Sequence, residues 1–410
     1  MILEPISSVR SIAFGIFVGS GSGHESSSQN GISHFIEHMN FKGTTTRSAR
    51  EIAETLDSVG GKLNAYTSKE HTCYYTTVMD EHIDVALGLM EDIFFRSVYR
   101  ESDIETEKRV VLEEIKLYED SPDEIVHDLF VRNIWPNFNL GQPVIGDAHV
   151  ISGLNREGLL EFMSDQYVPE NIIVSIAGKF SMDTMIDKLT GIFGKIKSIK
   201  KGHKEQHLPV FRPAINLMEK ETEQVHLCFG SRGISYHDHE RYPLLVLSSI
   251  LGGSMSSLLF QEIREKRGLV YSIFSYPLYF KNCGLFMIYA GTSLKNARNV
   301  VEIILEEIRK LRQNIPDKML ATAREQLKGS LVLGLESTGS KMSFNGKNLF
   351  YYEKYIKETE IMKIINEIDK DELEKLVEYV FNPSYYALTA VGPFKENVFE
   401  GLIHPESVPV

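Results

Sequence analysis

The segment GISHFIEHMNFKGT, residues 31–44, places two imidazoles and a carboxylate within five positions: His34, Glu37 and His38. At about 100° of rotation per residue, Ile32, Phe35, Ile36 and Met39 share one helical face. His34, Glu37 and His38 project from the opposite one. Histidines at i and i+4 sit one above the other, so both can grip a single ion. A zinc ion that works on a substrate needs a third protein ligand and one open position. ETEKRVVLEEIKLYED, residues 105–120, offers that ligand on a second helix. There Val110, Val111, Leu117 and Tyr118 are expected to form an apolar stripe that contains Glu107 and Glu114, while Glu113 turns toward Arg109 and Lys116. A carboxylate on an apolar face must be neutral, paired or bound to a metal. Helical geometry therefore favours Glu114 over Glu113, and a cation held by His34 and His38 would account for both misplaced acids. Singly, each feature has an ordinary reading. A histidine pair on a helix is usually surface decoration, and Glu107 or Glu114 can pair with an arginine. It is their conjunction that argues for a metal.

The elements that carry these residues recur. LNREGLLEFMSDQYVPENIIVSIAGKF (154–180) aligns without a gap to IDKDELEKLVEYVFNPSYYALTAVGPF (368–394), pairing Pro169 with Pro383, Gly178 with Gly392 and Phe180 with Phe394. Each copy reads as an amphipathic helix, a proline stop and an apolar strand. The spacing is far too long for a solenoid and fits duplication of a whole domain. The polar, basic stretch KIKSIKKGHKEQHLP (195–209) is the natural linker, which predicts two domains, 1–203 with the candidate metal ligands and 204–410 with the second copy of the repeat. Residues 9–21 and 64–79 read as strands, and SAREIAETLDSVG and EHIDVALGLMEDIFF as helices. Strands and helices do not alternate strictly. The expected class is α+β: two homologous domains, each a mostly antiparallel sheet with helices packed on one face.

Composition narrows the function. Across 410 residues, 56 acidic side chains outnumber 44 basic ones, against the basic excess of a nucleic-acid binder. No apolar run is long enough to span a membrane, and the first residues lack the basic start of a secretion signal, so a cytoplasmic protein is expected. Cys73, Cys228 and Cys283 are odd in number and not spaced for metal, which suggests free thiols in a reducing compartment. There is no G-x-S-x-G for a serine hydrolase. GSGSG (19–23) lacks the lysine of a phosphate loop and reads as a turn, as does LGGSMSS (251–257). HDHE (237–240) reads as a solvated loop, and His71, His82 and His127 take no role.

H-x-x-E-H is the inverted zinc motif of the inverzincins. HFIEH followed by Glu114 in VVLEEI resembles the pitrilysin family of zinc peptidases, in the branch that contains mitochondrial processing peptidase and its bacterial homologues. The resemblance covers nearly the whole chain. It implies one zinc ion per chain on His34, His38 and Glu114, Glu37 as general base and Glu107 as a supporting acid. GGKLNAYTSKEH (60–71) resembles the edge strand where Asn64 and Ala65 meet a peptide bound as an added strand. REKRGLVY (264–271) resembles the element whose Arg264 and Tyr271 bind the substrate carbonyl or oxyanion. A homodimer acting on extended peptides is implied, with a non-catalytic or partner-dependent subunit as the alternative. Two departures stand out. The opening strand of the family looks short or absent, and Asn40 occupies a place where an apolar residue is expected. Shifting HFIEH by the repeat spacing lands on Ser248–Gly252, SSILG, which has no metal ligands.

Overall fold

The structure, a computed structural model, describes residues 1–194 and 208–403. All but the last two residues of the expected linker, and the expected boundary at 203, lie outside them. The chain forms two compact units. The first takes the described parts of 1–117, 142–205 and 334–356, and the second those of 118–141, 206–333 and 357–410. Each half of the chain thus gives one segment to the unit built mainly by the other half.

In the first unit a five-stranded sheet has the order β1-β5-β2-β4-β3. The strands are β1 (Ile2–Pro5), β2 (Ser11–Val18), β3 (Lys62–Thr67), β4 (Thr72–Met79) and β5 (Ile172–Gly178). Only the β1–β5 pair is parallel. The opening strand is present and four residues long. The run 64–79, read as one strand, is a hairpin. Ser68 breaks it, because its hydroxyl oxygen accepts the His71 N–H at 3.1 Å and turns the chain.

Alternation along β2 divides the core. Ile12, Phe14, Ile16 and Val18 face a layer that includes Ile52, Leu56, Leu87, Met90 and Leu189. Ala13 and Phe17 face Met342 on the helix Thr338–Tyr352. That helix approaches closely because Gly15 and Gly346 leave room. A Cβ on Gly15 would lie 2.4 Å from Met342 Sδ, and one on Gly346 would lie 2.2 Å from the Phe17 ring. To the expected helices on one face, the structure therefore adds a helix on the other.

The helices that matter for the site are α1 (Ile32–Met39), α2 (Ala49–Asp57), α3 (Ile83–Phe95) and α4 (Glu101–Glu119). Ser48 caps α2 in a reciprocal box with Glu51. On α1 the expected apolar face is buried: Ile32, Phe35, Ile36 and Met39 pack with Ile104, Val111 and Ile115 of α4.

The second unit repeats the plan, with sheet order β6-β10-β7-β9-β8. Its strands are β6 (Ile215–Glu219), β7 (Val225–Arg232), β8 (Val270–Tyr279), β9 (Gly284–Thr292) and β10 (Ala387–Gly392). Helix α5 (Pro122–Ile134) packs on this sheet, with Val126, Phe130 and Ile134 beside Cys228, Met287 and Val391. The duplicated stretch folds as read. The helices Arg156–Gln166 and Lys370–Val380 correspond end to end, as do the turns that open at Pro169 and Pro383.

Candidate active site

Helix α1 is two turns long, and buried polar contacts hold both its ends. At the N-terminus Gly31 has φ +96° and offers no capping side chain. Glu25, fully buried, takes that place. One carboxylate oxygen accepts from the Gly31 N–H at 2.6 Å and from Asn30 Nδ2 at 3.2 Å, and the other accepts from the Ser33 N–H at 2.8 Å. A negative group suits the positive end of a helix. Burial raises the Glu25 pKa, although the backbone donors of Ser33 and Gly31 oppose it. Gly31 also meets Gly146 closely: a Cβ on Gly31 would stand 2.6 Å from the Gly146 Cα. Past the C-terminus, buried Asn40 accepts the Tyr99 hydroxyl on Oδ1 at 2.6 Å, so the unexpected polar residue has a structural partner.

The structure brings His34, His38 and Glu114 together. Their nearest ligand atoms all lie within 4.8 Å of one another. The two Nε2 atoms are 3.2 Å apart, His38 Nε2 is 3.6 Å from Glu114 Oε2, and His34 Nε2 is 3.9 Å from Glu114 Oε1. Tetrahedral zinc with bonds of about 2.0–2.1 Å spaces its ligands about 3.3 Å apart, so this triangle suits the ion. The donor chemistry fits as well: two imidazoles and one carboxylate leave a fourth position open.

The surroundings prepare the imidazoles. Glu107, 1 % exposed, stands 2.8 Å from His38 Nδ1, and its other oxygen is 2.5 Å from Lys42 Nζ. Burial would raise the Glu107 pKa, but His38 and Lys42 outweigh it and hold the carboxylate ionised. An ionised carboxylate only accepts, so His38 Nδ1 carries the proton of that bond, and in a neutral ring Nε2 then presents its lone pair to the cluster. Burial and the neighbouring imidazole lower the His34 pKa to about 4. For His38 burial acts the same way, but the bond and charge of Glu107, then Glu114 and Glu37, turn the net shift upward. Two rings in contact cannot comfortably both be charged, and a cation between them removes the conflict.

Helix α4 departs from its expected pattern. The buried stripe is Ile104, Glu107, Val111 and Ile115, while Val110 and Leu117 are exposed. Glu107 is buried as read. Glu114 lies at the margin, with its side chain 44 % exposed. The error is one of phase: the stripe follows the packing against α1 rather than the densest apolar run. Glu113 points away and pairs with Lys116 at 2.6 Å.

Glu37 lies beside the ligands, and its Oε2 accepts from Thr67 Oγ1 at 2.5 Å. Burial raises its pKa, against the Thr67 bond and His38. Asn64 and Ala65 sit on β3, an edge of the sheet; Asn64 is exposed, and its Oδ1 accepts from the Ala65 N–H at 2.8 Å. A groove of about 630 Å³ runs beside this strand, lined by Phe41, Ile52, Leu56, Leu63 and Tyr75 among others. Arg264 and Tyr271 belong to the second unit. Arg264 lies on the π-helical turn Phe260–Glu265, with its guanidinium carbon 5.6 Å from the centre of the Tyr271 ring. Tyr271 sits at a bulge in β8 and is 76 % exposed. A bulge re-aims a side chain, and here it turns the ring out.

The sequence reading missed Glu25 and Thr67. Glu25 left a signal, as the single acid in the stretch before a helix that begins without a side-chain cap. Thr67 left none, because its role depends on β3 lying against α1. Among the described residues no second group of three metal-ligating side chains gathers, at HDHE or elsewhere. No helix of the described residues is long and apolar enough to cross a membrane.

Comparison with known proteins agrees with this geometry. Residues 1–148 match the family described as insulinase (peptidase family M16), and residues 153–327 match the peptidase M16 inactive domain. The chain belongs to peptidase family M16. This M16 chain is 43 % identical over 394 residues to an uncharacterized zinc protease of Bacillus subtilis, YmxG, covering 96 % of each protein. It is 35 % identical over 406 residues to an uncharacterized zinc protease of Streptomyces coelicolor, covering 97 % of this chain and 88 % of that one. The fold is shared with a protease from Helicobacter pylori at a TM-score of 0.89 and 21 % identity, over 95 % of this chain and 96 % of that one. It is also shared with a peptidase M16 inactive domain from Pseudomonas fluorescens at 0.88 and 17 %, over 96 % and 95 %. The pitrilysin-family resemblance and the two-domain α+β fold therefore stand.

Proposed function

We propose that this M16 protein is a zinc metallopeptidase that hydrolyses extended peptides, with Glu37 as its general base. The observation that carries the reading is the triangle of His34, His38 and Glu114, with ionised Glu107 fixing the His38 proton and Glu37 alongside. One zinc ion per chain would be held by the triangle, where it supplies Lewis acidity that polarises a carbonyl and eases the ionisation of water.

The chain's own groups do the rest. Glu37 takes a proton from the attacking water and delivers it to the leaving amine. Glu107 keeps His38 in its binding tautomer. The β3 edge at Asn64 and Ala65 receives the peptide as an added strand, which favours extended substrates over folded ones. Arg264 and Tyr271 donate hydrogen bonds to the oxyanion, and loss of one such donor costs about 10²–10³ in rate. In the homodimer we propose, the zinc-holding half of one chain would face the Arg264 and Tyr271 half of the other, so an Arg264→Ala protein mixed with a Glu37→Gln protein regains activity on subunit exchange. Free, buried Cys73 and Cys228 suit a reducing, cytoplasmic setting.

The test is a cleavage profile on a mixed peptide library, with and without a chelator, for wild type and Glu37→Gln. Chelator-sensitive cleavage, zinc near one per chain and a Glu37→Gln protein that keeps its zinc but loses about 10²–10⁴ in kcat are expected. A zinc-bound protein without turnover would instead indicate a non-catalytic or partner-dependent subunit.

A further inference from the structure

We propose that Thr67 is a positioning residue for Glu37: its hydroxyl tethers one carboxylate oxygen and leaves the other to handle the proton. The inference rests on Glu37 being the base and names the group that aims it.

A hydroxyl has one proton to give. Thr67 Oγ1 lies 2.5 Å from Glu37 Oε2 and 3.4 Å from Thr72 Oγ1. The Thr72 proton is committed elsewhere, to the Ser20 carbonyl at 2.9 Å. The Thr67 proton therefore goes to the carboxylate, its stronger and nearer acceptor. Among the described residues no protein donor reaches Glu37 Oε1. One oxygen is pinned and the other is open, which fixes the plane of the carboxylate without filling the lone pair that must accept from water.

The location adds to the argument. Thr67 closes β3, three residues beyond Asn64, while Glu37 belongs to α1. The tether joins the strand that would receive substrate to the helix that carries the base and two metal ligands. A peptide added to β3 would then be placed in fixed register with the group that deprotonates its attacking water. General bases lose efficiency steeply when orientation drifts. The positioning effect should therefore appear in turnover, with binding and metal affinity unchanged.

The full-length, zinc-loaded protein should be assayed as wild type, Thr67→Val, Thr67→Ala and Thr67→Ser on an internally quenched extended peptide. The zinc dissociation constant is read by chelator competition and folding by thermal melting. Thr67→Val keeps the shape and removes the donor, so kcat should fall about 10- to 100-fold, with KM and zinc affinity within about twofold of wild type. Thr67→Ser restores the hydroxyl and should recover to within about threefold. If Thr67→Val proves unstable, the Ala–Ser pair decides. The inference is overturned by a wild-type kcat in the Val or Ala protein, by kcat falling in step with zinc affinity, by a change in KM alone, or by a Ser protein as impaired as the Val one. Glu37→Gln, run in parallel, separates the two readings. If it stays active, the general-base reading fails whatever Thr67 does. If it is inactive while Thr67→Val is unaffected, only the tether fails.

Discussion

The two units share a strand order and a repeat spacing, yet among the described residues only one gathers three side chains that could hold a metal. At the spacing that pairs Pro169 with Pro383, His34 corresponds to Ser248, Glu37 to Leu251, His38 to Gly252 and Glu114 to Lys328. The replacements do more than remove ligands. The Ser248 hydroxyl donates to the Ser275 carbonyl at 2.9 Å, tying its helix to β8. A Cβ on Gly252 would stand 2.6 Å from the Ser275 nitrogen, so the helix end packs where an imidazole would need room. Lys328 pairs with Glu325 at 2.7 Å and brings positive charge in place of a carboxylate. The pair of units teaches that the fold tolerates the site without requiring it. Where the ligands are replaced, the helix end packs against the sheet.

Swapping the third ligand for its counterpart should break this comparison most strongly. Glu114→Lys puts an ammonium beside His34 and His38 and should abolish stoichiometric zinc and peptidase activity together. Glu114 is half exposed, so the thermal midpoint of the metal-free protein should move little; metal analysis and melting check both. In the other direction, the triple change Ser248→His, Gly252→His and Lys328→Glu should still leave one zinc per chain, because position 252 has no space for a ring. Glu107→Gln comes next. The amide can still accept from His38 Nδ1 but no longer balances Lys42, and loss of such a partner typically weakens metal affinity about 10- to 100-fold. Chelator competition measures it.

The sequence made much of this legible, for identifiable reasons. His34, His38 and Glu107 follow from helical phase, because α1 and α4 bury the faces that a period of 3.6 assigns or nearly so. The duplication was legible because Pro169 and Pro383 stop their helices at matching points. What stayed hidden depends on contacts between distant segments. The exposure of Val110 and Leu117 is set by which face of α4 meets α1. The tether from Thr67 to Glu37 spans two elements whose adjacency no local pattern encodes. The exchange of 118–141 and 334–356 between units leaves no mark in composition, since α5 looks the same whichever sheet it covers.

Glu25→Gln asks whether the helix cap supports the metal. The amide would aim its own N–H groups at the Gly31, Ser33 or Asn30 donors, costing about 1–3 kcal/mol. Zinc affinity should drop because α1 loosens at its N-terminus. A core variant of similar stability loss, Leu189→Ala, should retain more of that affinity; equal losses would reduce Glu25 to a general stabiliser.

The smallest expected effect on zinc binding comes from buried Asp92 on α3, set against its counterpart at the repeat spacing, Glu306, which pairs with Lys310 at 2.9 Å on the surface. Asp92 accepts from Thr44 at 2.6 Å, Thr46 at 2.7 Å and Arg47 at 2.7 Å, fastening the loop that follows α1. Burial alone would raise the Asp92 pKa, but these donors outweigh it and hold the carboxyl below its ordinary value. A group with a depressed folded pKa contributes its full stability above the unfolded value of about 3.9 and loses it as pH falls through the folded value. Asp92→Asn should therefore cost about 3 kcal/mol near neutral pH and progressively less below pH about 4, where the carboxyl of the unfolded wild-type chain takes up its proton first and that of the folded protein follows at lower pH. Urea unfolding at pH 7 and pH 3 reads the convergence. Glu306→Gln should leave the neutral-pH midpoint in place, since water and salt screen an exposed pair. If the two substitutions behaved alike, the Asp92 anchor would have no more weight than surface charge, and the loop after α1 would have to be held by Thr44 and its backbone bonds alone.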